Sequence, residues 1–239
     1  MGNFDFSGKV VLVTGSSGGL GTEVAHAFLK AGASVVLTYY SSESLQSLQK
    51  ICGMAKNTFL LRGDFTKEDD VKILVSEAVK RFGKIDVLAN VIGGYAAGKP
   101  VTAIDEKEWD HMMNINLKTA FLLSKHVVAQ MVKQSSGKVI HVSARSGLRG
   151  VGSDAAYVAS KSGVIRLVES LSEEVKSKGI NINCIMPSII DTEENRKAMP
   201  SADHAKWVKP ADIAKVILFL ASDDARPING AAIPVYGLA

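Results

Sequence analysis

Cysteine is almost missing. The chain has 239 residues and only two cysteines, Cys52 and Cys184, too few for a disulfide framework or a cysteine metal site. Cys184 lies in the apolar stretch INCIM and reads as a buried thiol. The five histidines, His26, His111, His126, His141 and His204, show no H-x-x-x-H or H-x-H spacing, so no metal site is expected. No apolar run approaches membrane-spanning length. No charge of one sign dominates: 28 basic against 24 acidic residues leave a net charge of +4, and the basic residues are scattered. That argues against nucleic acid as a partner. The opening MGNFDFSGK lacks a charged-then-apolar signal pattern, and Phe6 stands where myristoylation needs Ser or Thr. The expectation is a reduced, cytoplasmic protein whose partner is a small molecule.

What remains is ample material for a core: 46% hydrophobic and 22% charged residues. Short β-branched runs at 9–14, 34–39, 57–62, 84–90, 137–143, 182–186 and 231–235 read as strands. Helical periodicity fills the gaps near 19–31, 43–52, 67–82, 106–133 (two pieces), 155–178 and 210–222. This alternation predicts βαβ units, hence an α/β fold with a doubly wound parallel sheet in a single domain over 1–239. Several strands are apolar throughout, as strands covered on both faces are. Residues 188–209 read as a loop insert capping the substrate side.

Two motifs carry chemistry. The first strand ends in Thr14-Gly15-Ser16-Ser17-Gly18-Gly19-Leu20-Gly21 and opens a helix. Glycines there allow a tight turn and let backbone N–H groups approach a pyrophosphate at the helix's positive end. Further on, Tyr157 and Lys161 stand one helical turn apart, on one face, among the small residues of AAYVASKSG. A cation so placed favours phenolate and is expected to lower the tyrosine pKa, making a proton donor.

With T-G-x-x-x-G-x-G and Tyr-x-x-x-Lys together, the chain resembles the short-chain dehydrogenase/reductase family along essentially its whole length. The resemblance implies a Rossmann fold of about seven strands with helices on both faces, a nicotinamide cofactor and hydride transfer to or from a carbonyl or alcohol. It implies cofactor contacts from Gly15, Ser17, Gly19, Leu20, Gly21, Tyr39, Tyr40, Ser41, Asp64, Phe65, Asn90, Pro187, Ile190 and Thr192, besides Tyr157 and Lys161. Asn116 in NINL matches the family's catalytic Asn, and PSIIDT matches P-G-x-x-x-T with Ser188 replacing Gly. LANVIGG matches N-N-A-G only in part: Val91 and Ile92 replace the second Asn and the Ala. Asp64 stands where the family holds adenine.

Strand two ends in Tyr39, Tyr40, Ser41 and Ser42, with neither a carboxylate for the 2′-hydroxyl of NAD nor an arginine. The missing carboxylate points to NADP(H), with NAD as the alternative. The family's polarising serine stands thirteen residues before its tyrosine, which here is Ala144; Ser143 falls one place early. Neighbours on a strand point to opposite sides, so only one of the two faces the site unless the strand end bulges. Dihydropteridine reductase, a divergent family member, also has Ala at that position. The chain's VIGGYAAG (91–98) and DTEENRKAMPSADHAKW (191–207) are similar to its segments, with Tyr95 in place of its Trp. Three readings follow: a reductase of 3-oxoacyl-type or other ketones, a reductase of an electrophilic ring, and a non-catalytic NADP(H) sensor. The family's pairing helices carry Phe121, Leu122, Val128, Val164, Leu167 and Leu171, and imply a homodimer or homotetramer.

Overall fold

The computed structural model describes residues 4–52 and 57–238. The opening Met1–Asn3 and the side chain of Cys52 lie outside that description. Seven parallel strands form one sheet, ordered β3-β2-β1-β4-β5-β6-β7. They are β1 (Val10–Thr14), β2 (Ser34–Tyr39), β3 (Thr58–Arg62), β4 (Val87–Asn90), β5 (Gly137–Val142), β6 (Ile180–Pro187) and β7 (Ala232–Val235). The helices are α1 (Gly19–Lys30), α2 (Ser42–Cys52), α3 (Glu68–Phe82), α4 (Glu106–Met112), α5 (Thr119–Gln134), α6 (Ala155–Val175), α7 (Glu193–Ala198) and α8 (Pro210–Ala221).

β1 is buried at every residue, which explains its unbroken VVLVT. Its odd residues Val11 and Val13 join the core under α1 and α8, while Val10 and Leu12 join the core on the opposite face, under α3, α5 and α6. The chain order reverses between β1 and β4, and their carboxyl ends open the crevice where ligands bind in doubly wound sheets. Local signals agree. α3 starts on Glu68, Asp69 and Asp70, ends on Lys80 and Arg81, and stops at Gly83 in the left-handed region (φ +81°).

Two expectations change. The break between helices near 113 is no break: α4 runs through a π-helical turn, Met113–Lys118, into α5. The 188–209 stretch is no plain loop. It folds α7, with Thr192 capping its start, and closes with a bridge between Ile190 and Val208.

Candidate active site

The expected phosphate end of the crevice is built from backbone. Gly15 takes φ +72°, and a Cβ there would meet Ile92 N at 3.0 Å. A Cβ at Gly21 would lie 2.0 Å from Gly15 O, so no other residue fits without moving the loop. Ser16 sits inside: Oγ donates to Val13 O at 2.6 Å and accepts from Thr38 N at 3.0 Å. A Cβ at Gly19 would touch Thr192 Cγ2 at 3.0 Å, so the 188–209 flap lies against the glycine turn. Ser17 and Leu20 stand in the glycine turn and the start of α1, while Pro187 ends β6 and Ile190 opens the 188–209 flap. Asn90 lies beneath it, buried, with Oδ1 accepting from Thr14 Oγ1 (2.7 Å) and Ile92 N (3.3 Å). It shapes the loop from within.

The other predicted cofactor residues lie at the ends of β2 and β3. Tyr39 is half-buried, Tyr40 is exposed, and Ser41 precedes α2. Asp64 accepts from Thr66 Oγ1 at 2.6 Å and from Thr66 N at 3.2 Å; these bonds and Lys67 outweigh burial and lower its pKa. Phe65 is buried beneath Gly63. Strand register sets Arg62 opposite Tyr39, and together the two strand ends border a cavity of about 520 Å³.

The chemical end is drier. The π turn points Asn116 inward, where it is buried. Its Oδ1 accepts from Gly94 N (3.0 Å), and its Nδ2 donates to Gly94 O (3.1 Å) and Ser160 Oγ (3.0 Å). Ser160 Oγ donates in turn to Tyr157 O at 2.7 Å. Sequence reasoning missed Ser160; its signal was a polar residue on the inner face of α6, one place before Lys161. Lys161 is buried, and its Nζ donates to Val142 O at 3.0 Å. A Cβ at Gly93 would stand 3.0 Å from that Nζ and 2.9 Å from Asn116 Oδ1, so the absent side chain keeps space open above both.

The electrostatics differ from the expectation for Tyr157. Burial pushes its phenol well up from the ordinary tyrosine value, and Tyr95 and Asp154 push the same way. Lys161 does not reverse this. Its Nζ stands 5.8 Å from the Tyr157 ring centroid, and burial pulls its own pKa down to about 8. Tyr95 covers the ring edge-on, with centroids 4.8 Å apart, while itself 67% exposed. Ser143 is buried and donates from Oγ to Lys161 O at 2.8 Å. Ala144 follows in extended conformation, φ −156° and ψ 157°. Behind them, His141 is held between Asn90 Nδ2 (3.0 Å from Nδ1) and Ser124 Oγ (2.8 Å from Nε2). Asn90 Oδ1 already accepts twice, so its Nδ2 is the donor and Nδ1 the acceptor. The proton therefore sits on Nε2.

The short chain dehydrogenase family model matches residues 9–203. The chain belongs to the short-chain dehydrogenase family. It is thus an oxidoreductase acting on a C=O/CH–OH couple. A 3-oxoacyl-[acyl-carrier-protein] reductase FabG of Thermotoga maritima is 33% identical over 96% of this chain and 97% of that protein. The FabG of Staphylococcus aureus strain N315 is 32% identical over the same shares. Among solved structures, ElxO with NADP bound superposes with a TM-score of 0.90 at 29% identity, covering 96% of this chain and 97% of that one. Levodione reductase superposes at 0.88 with 30% identity, covering 97% of each.

The capping segment that resembles dihydropteridine reductase is largely tied to itself. Arg196 grips Asp191 through Nε (2.5 Å) and Nη2 (2.8 Å), Asn195 Nδ2 donates to Ile190 O (2.8 Å), and the rings of His204 and Trp207 lie 4.4 Å apart. These residues of the motif fold the flap, so the shared pattern has a structural reason independent of substrate. Among the described residues, no helix is long and apolar enough to cross a membrane. Of the expected pairing stripe, Leu122, Val128 and Val164 lie in the core, while Phe121 is 46% exposed.

Proposed function

We propose that this short-chain dehydrogenase is an NADP(H)-dependent reductase of a ketone, of the 3-oxoacyl type or close to it. The observation that carries the reading is the convergence of Tyr157, Lys161 and Asn116 beneath the space that Gly93 keeps clear. The names of the FabG relatives and the NADP in ElxO support the substrate class and the cofactor. The residues fit a nicotinamide dinucleotide: the Gly15–Gly21 turn takes the pyrophosphate, the cavity beyond β2 and β3 the adenosine, and Thr192 the carboxamide side. Such a cofactor supplies hydride.

In this reading Tyr157 donates the proton to the reduced oxygen, and the burial that raises its pKa keeps the phenol protonated at neutral pH. Lys161 holds the cofactor ribose and balances the charge that forms when the proton leaves. Asn116, fastened to Gly94 and Ser160, fixes the wall that carries Lys161 and Tyr157. With the Ser143 hydroxyl bonded to Lys161 O, the polarising position falls to Ala144, leaving Tyr157 as the main hydrogen-bond donor to the substrate. That favours a substrate already electrophilic, such as a 3-oxoacyl thioester or a diketone. A quinonoid dihydropterin is the second reading, favoured by Ala144 and by the Tyr95 ring over Tyr157. The protein is read as cytoplasmic and as a homodimer or homotetramer paired through the α5 and α6 faces; a 25 kDa particle in light scattering at micromolar concentration would remove the pairing.

The test is NADPH and NADH oxidation against a 3-oxoacyl thioester, a diketone, a quinonoid dihydropterin and a simple ketone. The first two should turn over fastest. Best activity on the dihydropterin selects the second reading. NADPH binding with no turnover of any carbonyl selects a sensor instead.

A further inference from the structure

The geometry points to Arg62 as the residue that selects the 2′-phosphate of NADP(H); this rests on the dinucleotide reading above. Strand two offers no cation at its end, and the glycine turn has Gly18 and Gly19 where a side chain could otherwise reach over. The charge comes from the neighbouring strand. Arg62 closes β3 in register with Tyr39, and its Nε donates to Tyr40 O at 3.1 Å. That bond folds the guanidinium across the end of β2, onto the cavity lined by Tyr40, Ser41, Ser42, Arg62, Asp64 and Lys67.

The carboxylates of this cavity are already engaged. Asp70 accepts from Asp64 N at 2.7 Å, and Asp64 accepts from Thr66 and faces Lys67 at 3.6 Å. The Ser41 hydroxyl bonds Glu43 and lowers its pKa. Arg62 makes no ion pair among the described residues. With Nε committed, its two terminal nitrogens present a planar pair of donors, the geometry that matches two oxygens of a phosphate monoester. Ser42 lines the same space and supplies a hydroxyl donor. Glu43 is the competing residue: it would repel a phosphate, and it could accept the 2′-hydroxyl of NADH.

Direct binding decides it, on the full chain. NADPH and NADH are titrated by nicotinamide fluorescence, and 2′,5′-ADP and 5′-AMP by calorimetry, on wild type, Arg62→Leu, Arg62→Lys and Glu43→Gln. Arg62→Leu should weaken NADPH and 2′,5′-ADP roughly 10- to 100-fold while NADH and 5′-AMP change less than about twofold. Arg62→Lys should fall between, because a point charge keeps attraction and loses the fork. Wild type that binds NADPH tightly, with Arg62→Leu unchanged or weakened equally for all four ligands, overturns the assignment. Wild type that prefers NADH and loses it in Glu43→Gln gives the site to the 2′-hydroxyl. Wild type that binds neither dinucleotide removes the dinucleotide reading, and Arg62's role with it.

Discussion

The two ends of the crevice use opposite physics. At the outer end, Arg62, Lys67, Glu43, Asp64 and Asp70 gather around an open cavity, and water screens them. At the inner end, Lys161, Asn116, His141 and Ser143 are all buried, and Tyr95 covers Tyr157. The shifts follow. Burial is the largest cause for Tyr157, Lys161 and His141, each displaced against its charged form. Asp64 goes the other way, because its bonds to Thr66 and the nearby Lys67 outweigh burial. In the proposed function, cofactor choice therefore rests on surface charge and proton transfer on desolvation.

Four experiments sharpen or break this contrast. Tyr157→Phe keeps the ring under Tyr95 and removes only the hydroxyl that carries the proton, so turnover should fall by roughly 100-fold or more with cofactor affinity nearly unchanged. A variant retaining more than about a tenth of the wild-type rate shows that Tyr157 is not the acid.

Next in size is a pH effect from the inner end alone. His141 is held down to about 4 against an ordinary 6.5. The unfolded chain takes up that proton first, so stability present above pH 6.5 should drain away as pH falls towards 4, by up to roughly 3 kcal/mol. Lys161, depressed from 10.5 to about 8, acts only at higher pH and adds nothing in this window. His141→Asn should flatten the slope of urea midpoint against pH between 4 and 6.5. The same slope in both proteins would mean that His141 does not carry it.

At the outer end, Tyr39→Asp sets a carboxylate opposite Arg62. NADPH binding should weaken about tenfold relative to NADH, and salt should shrink the difference because the charges are exposed. A ratio that ignores both the substitution and the salt would uncouple this strand end from cofactor choice.

Smallest is Ala144→Ser, which should raise the rate on simple ketones about fivefold, the worth of one neutral hydrogen bond made in the transition state. Ser143→Ala should cost little turnover, since its hydroxyl serves Lys161 O. A loss on the order of a hundredfold in Ser143→Ala would return the polarising role to Ser143.

Much of this was legible in the chain. Every one of the seven strands falls where a β-branched run stands, and the glycine turn and the Tyr157–Lys161 pair are local patterns read at fixed spacing. The failures differ in kind. The π turn at Asn116 exists to meet Gly94 and Ser160, partners 22 and 44 residues away, and nothing in MNINLK announces it. The Thr192–Asn195 cap of α7 was present as letters, but read as loop because the helix is six residues long. The expected lowering of the Tyr157 pKa counted the nearby cation and omitted burial, which is the larger influence.

By itself the sequence determined what periodicity and fixed spacing encode: the alternating strands and helices, the glycine turn and the Tyr157–Lys161 pair on one helical face. These depend on neighbours within a few residues, where bond geometry fixes the outcome. Tertiary structure alone decided what depends on distant segments meeting. Register brought Arg62 beside a strand end that has no arginine of its own, packing turned the Ser143 hydroxyl onto Lys161 O, and Tyr95 packed edge-on against Tyr157 to shield part of its ring. Charge proximity and desolvation are properties of the assembled sheet, because each is set by what the rest of the chain places within a few ångströms.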